Sequence, residues 1–192
     1  MARVILGAVV AALAMFALGF LLYGTPLHRL SHGTLNDNAA TAVQQSLATA
    51  GLETGTYFVP SAATSTQTAL YARGPIATIH FNERGYPATD AMGLAMALVL
   101  DFLVALLIGA AMIGLGRGGL EQGALGRAAI LFAVAASAYI HLSEPLLYHH
   151  PWRRFLYTFV VDAAVLGLGG WIVARFLSTR ADAAGEPSVQ QT

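Results

Sequence analysis

The chain has no cysteine and no lysine, and only 10% of its 192 residues are charged. The missing cysteine excludes disulfides, a thiolate nucleophile, cysteine-ligated zinc and iron–sulfur clusters. A soluble domain carries about a quarter charged residues, so so little charge argues against an ordinary soluble fold. The formal net charge is zero, which argues against nucleic acid as a partner, because that needs a basic surface. Every basic residue is Arg, in a chain rich in Ala and Gly, a bias typical of GC-rich bacterial genomes.

What remains is apolar: 56% of the residues are hydrophobic, and the mean hydropathy is +0.62. Val4 to Tyr23 is an unbroken apolar run, about 30 Å long as a helix, which matches a bilayer core. It reads as an anchor and not a cleaved signal, since the run is too long for a signal core and no small-x-small site follows Tyr23. Ala91 to Leu115, Ala128 to Tyr148 and Phe155 to Leu177 are three further spans with short connections. The expected fold is therefore an all-α membrane protein. It comprises helix 1 (1–23), a small α+β extramembrane insert (24–90), helices 2–4 (91–177) in a four-helix bundle, and a disordered tail (178–192).

Within the insert, Asn36 to Asn38 offer N-caps for a helix running to about Ala50 and closed by Gly51. Tyr57 to Val59 reads as a strand stopped by Pro60. A helix from Thr64 to Ala72 is broken by Gly74-Pro75. Ile76 to Phe81 reads as a second strand ending at the turn Asn82-Glu83-Arg84-Gly85. Arg3, Arg117, Arg127, Arg175 and Arg180 fall on one side of the spans. Arg153 and Arg154 fall on the other, with Arg29 and Arg84. The positive-inside rule then predicts cytoplasmic termini and a periplasmic insert in a bacterial inner membrane.

Four ionisable residues interrupt the spans: Asp101, His141, Glu144 and Asp162. A charge at the bilayer centre costs about 2.5–3.5 kcal/mol on insertion scales, so such residues are expected to face the bundle and to have partners. Helix rise puts Asp101 about 15 Å, and His141 and Asp162 about 10 Å, from the same membrane face. Glu144 is one turn shallower than His141 on the same face. All four are expected to converge in one half of the membrane, as interhelical glue, a proton or cation relay, or a metal site. Gly93, Ala97, Ala105 and Gly109 recur at four-residue spacing through Asp101, a small-residue stripe for helix packing, and Gly167 with Ala163 forms a second.

His28 and His32 stand at i, i+4 just past the first span, and His149 and His150 at the mouth of the third. Together these four could bind a transition metal, the one cofactor the residues suggest. Nucleophile readings fail for want of a glycine elbow. The cluster Gly114, Gly116, Gly118 and Gly119 follows a helix instead of preceding one, so it is no phosphate loop. No catalytic residue is assigned.

One span, an insert ending in Gly74-Pro75-Ile76-Ala77-Thr78-Ile79-His80-Phe81, then three spans, with Pro151-Trp152 and Asp162 followed by Gly170-Trp171, resembles a family of uncharacterised small proteobacterial inner-membrane proteins. The resemblance implies the layout and no activity. His141 and Glu144 depart from the family pattern. The expected function is that of a non-enzymatic accessory or stabilising subunit that packs, within lipid, on other membrane subunits or on itself. The alternatives are a small proton or cation transporter and a periplasmic-side metal-binding protein or metal-dependent membrane enzyme.

Overall fold

A computed structural model describes residues 2–182. Among these are α1 (Ala2–Tyr23), a 3-10 turn (Pro26–Leu30), α2 (Asp37–Thr49), β1 (Gly55–Val59), α3 (Ser65–Arg73), β2 (Ala77–Phe81), α4 (Ala91–Arg117), α5 (Gln122–Tyr148) and α6 (Trp152–Asp182). α1, α4, α5 and α6 are each long and apolar enough to cross a membrane. The chain forms two compact units: residues 34–90, and the remainder on either side.

The four long helices are apolar on nearly every side, so hydrophobicity alone cannot choose which face turns inward. Size does. On α1 the inward positions are Gly7, Ala8, Ala11, Ala12 and Met15, while Ile5, Leu6, Leu13 and Phe20 point outward. In lipid no apolar surface is gained by association, so helices pair where small side chains allow backbones to approach. α4 repeats the rule with Ala105, Gly109 and Met112. A Cβ on Gly109 would lie 3.1 Å from Val4 of α1 and 3.4 Å from Val173 of α6. On α6, Gly170 sits so close to α5 that a Cβ there would lie 2.7 Å from that of Ala129. The core joins Ala8, Ala11 and Met15 to Ala105, Met112, Leu125, Val173 and Ala174.

α6 is the central helix. It packs along α5 and α1, α1 packs on α4, and α4 scarcely touches α5. The helices alternate in direction, so one end of the bundle gathers Tyr23, the start of α4, the end of α5 and the start of α6. This is termed the Tyr23 end, and the opposite one the Arg117 end.

Two boundaries differ from the sequence expectation. The 3-10 turn belongs with the long helices and not with the insert, whose unit begins at Thr34. Thr25 caps that turn by accepting from the Leu27 amide, Ser31 is buried, and Arg153 donates to the carbonyls of Leu30 (2.7 Å) and Arg29 (3.2 Å). α6 also continues beyond Ser178 to Asp182, into the segment expected to be disordered; positions 183–192 of that tail lie outside the described residues.

In the insert, Asn36 accepts from the Ala39 amide to start α2, Gly51 with φ +65° follows its end, and Thr64 accepts from the Gln67 amide to start α3. β1 and β2 pair antiparallel, with Tyr57 opposite Ile79 and Gly55 opposite Phe81 on one face.

Candidate functional site

The polar residues of the long helices meet at the Tyr23 end. Asp162, on the third turn of α6, is the hub. Its Oδ2 lies 2.6 Å from His141 Nε2 of α5, and its Oδ1 accepts from the Tyr23 hydroxyl of α1 at 2.8 Å. With the carboxylate ionised, one acid thus accepts from two helices at once, and three of the four long helices are tied at one point. The Asp162 side chain is 35% exposed and that of His141 20%, so the protein encloses the pair only in part. Next to this hub, Tyr157 donates to the Leu22 carbonyl at 2.6 Å, and its ring meets that of Tyr23 edge-on. The end of α1 is thereby held twice by α6.

The expected convergence of four ionisable residues is corrected. Only His141 and Asp162 meet. Glu144 turns instead toward His150, 3.4 Å away, because one more helical turn carries it nearer the end of α5. Asp101 has no hydrogen-bond or ion-pair partner among the described residues. Tyr23 joins the site although in the sequence it only closes an apolar run. The signal available was its position: the last residue of a span, antiparallel to the helix carrying Asp162, with a hydroxyl at the tip of a long side chain.

The small-residue stripe of α4 is only half used. Ala105 and Gly109 are buried against α1 and α6, but Gly93 and Ala97 are exposed. Asp101, partly exposed, stands where the packed half gives way to the bare half. Gly167 is buried on α6, where a Cβ would lie 3.8 Å from Ile130 of α5. One turn from His141 toward the Arg117 end, Ser137 is 1% exposed, and its hydroxyl has no hydrogen-bond partner among the described residues.

The four histidines expected to share a metal are not gathered. The His28 and His32 rings meet edge-on at 4.6 Å, and Ser31 Oγ lies 2.8 Å from His32 Nδ1. His150 stacks between Tyr148 and Phe155. His149 takes the left-handed conformation that ends α5. Among the described residues no three His, Asp or Glu side chains come together as a metal site. The sequence showed the residue types and not the rotation of each helix end. His28 also faces the Tyr23 ring edge-on at 5.9 Å. Burial first, and then the positive charges of His32 and Arg154, push its pKa below the ordinary histidine value.

Chemically, the site is a half-buried hydrogen-bonded knot, and Asp101 is an acid without a hydrogen-bond or ion-pair partner among the described residues. Set against known proteins, the chain matches no family model, no curated protein and no solved structure.

Proposed function

We propose that this chain is a non-enzymatic integral protein of a bacterial inner membrane, and that it serves as an accessory or stabilising subunit by docking a transmembrane helix of another subunit or of a second copy. The observation that carries the reading is Asp101 at the head of the exposed Gly93–Ala97 stripe. An acid at this depth costs about 2.5–3.5 kcal/mol unless something satisfies it, and nothing among the described residues does. A bare small-residue stripe leading to it lets a foreign backbone approach closely enough to supply a donor. The distribution of Arg supports cytoplasmic termini and a periplasmic insert, which puts Asp101 in the periplasmic half of the bilayer. That layout agrees with the inner-membrane family the sequence resembles.

The test is purification in mild detergent and in lipid nanodiscs, with Ala97→Cys as the only cysteine in the chain for cross-linking. A complex larger than the monomer, cross-linked through residue 97 and weakened at least tenfold by Asp101→Leu, supports the reading. A monodisperse monomer in both media, with no cross-link at residue 97, sinks it.

A second reading has its own observation. Ring contacts lead from His32 through His28 to Tyr23, and hydrogen bonds continue to Asp162 and His141, a string of proton-bearing groups reaching into the bundle. This favours a small proton or cation transporter. Flux in proteoliposomes that is absent, or that survives Asp101→Asn together with Asp162→Asn, removes it.

A further inference from the structure

The bundle is open on one side. Between α4 and α5 runs a cavity of about 270 Å3, walled by Ile108 and Leu115 of α4 and by Leu125, Ala129 and Phe132 of α5, with Leu166 of α6 as its floor. Every residue lining it is apolar. Phe132 is 70% exposed, so the cavity opens sideways as a groove.

Its dimensions select the occupant. The lining runs from Val104 to Leu115 on α4 and from Leu125 to Ala136 on α5, which is about 16 Å of helix, or roughly half a bilayer core of about 30 Å. That length matches the acyl chain of one leaflet, whereas a transmembrane helix runs the whole core of about 30 Å. The groove is apolar along its whole length, as a polymethylene chain requires. The groove stops at Val104, one turn short of Asp101, so it serves one leaflet only, the one at the Arg117 end.

The mouth supplies the charge. Arg117 ends α4 two residues beyond Leu115, and Arg127 lies in the first turns of α5 between Leu125 and Ala128. Both are exposed, and neither makes an ion pair among the described residues. Glu121 in the connection is the one acid between them, leaving the stretch net positive. Long Arg stems lie along apolar surface while the guanidinium reaches the headgroup level, where its planar fork suits a phosphate diester.

We propose that the α4–α5 groove seats an acyl chain of an anionic phospholipid whose phosphate is held by Arg117 and Arg127. The site is separate from the docking face at Asp101 and stands whether or not that face binds a partner.

Fluorescence quenching tests it in the full chain. Trp152→Phe and Trp171→Phe remove both tryptophans, and Phe132→Trp puts a single reporter in the groove. The protein is placed in phosphatidylcholine bilayers with rising fractions of brominated phosphatidylglycerol or brominated phosphatidylcholine. The expected result is half-maximal quenching at an at least threefold lower mole fraction of the anionic lipid. Arg117→Gln with Arg127→Gln, both surface changes, should bring the two curves together, and Ala111→Phe, which fills the groove from an exposed position, should do the same. Coincident curves for the unaltered arginines overturn the proposal. So does complete self-cross-linking of an Ala128→Cys variant at high lipid-to-protein ratio, which would put a second copy in the groove.

Discussion

The long helices and the insert solve opposite problems. The helices bury Ala8, Ala11, Met15, Ala105 and Val173 among themselves, and Asp162 ties three of them at one point. The insert has no buried side chain from Thr34 to Asp90, and its order comes from hydrogen bonds: caps at Asn36 and Thr64, the β1–β2 ladder, and Thr56 Oγ1 against His80 Nδ1 at 3.0 Å. Leu35, Phe58, Leu70 and Tyr86 stay exposed on it. A two-stranded ladder without a core is marginal by itself in water. One unit is thus fixed by side-chain packing, the other by hydrogen bonds. Substitutions should separate them sharply.

The largest effect is expected where two backbones touch. Gly170→Leu drives a branched side chain into Ala129 across the α5–α6 contact, and overpacking of this kind costs about 3 kcal/mol or more where neighbouring backbones cannot yield. A melting temperature in detergent that falls by less than a few degrees would mean that α5 is held by something other than this contact.

Next comes the knot at Asp162. His141→Ala leaves the carboxylate with Tyr23 alone, and interhelical hydrogen bonds in membranes are worth about 0.6–2 kcal/mol. Because Tyr23 and His141 share one acid, Tyr23→Phe and His141→Ala should be non-additive in a double-mutant cycle. Strict additivity would show that the two hydrogen bonds do not communicate through Asp162.

Smaller still is Arg153→Ala. It removes two donors to the 3-10 turn and should cost about 1 kcal/mol, read as faster amide exchange over residues 26–31 with the rest of the bundle unchanged. By contrast, Val43→Asn or Tyr86→Ser in the insert should move the global melting by no more than about 0.5 kcal/mol, since both positions are exposed. A larger shift from either would mean that the insert has packing partners in the intact protein.

The same division explains what could be read from the residues alone. Spans, caps and turns are local events: Tyr23 ends α1, Asn36 starts α2, Thr64 starts α3, and each is visible within a few positions of sequence. The small-residue stripes were visible too, but not that Gly93 and Ala97 would stay bare while Ala105 and Gly109 are covered, because that depends on how far α4 leans along α1. The polar cluster shows the limit most plainly. Depth along a helix follows from counting residues and brought His141 and Asp162 to one level. Side-chain partners do not follow from counting: Glu144 meets His150, and Asp101 has no hydrogen-bond or ion-pair partner among the described residues.

The smallest expected effect lies at the Tyr23 end, just outside α1, and depends on pH. His28 sits between the Tyr23 ring and His32, and desolvation, followed by the charges of His32 and Arg154, lowers its pKa from the ordinary value. Well above a pH of about 6.5, the ordinary histidine value, His28 is neutral whether the 3-10 turn is formed or open, and contributes no pH dependence. As pH falls below that value the open form takes up a proton first, because only there is the ring fully solvated. The open form then binds more protons than the closed one, so the closed turn loses stability toward acid. The Ser31 amide, which donates to the His28 carbonyl at 2.9 Å, reports the opening. Its exchange protection, corrected for the intrinsic rate, should drop between pH 7.5 and pH 5 and become flat in His28→Asn. A slope that persists in that variant would show that His28 is not its source.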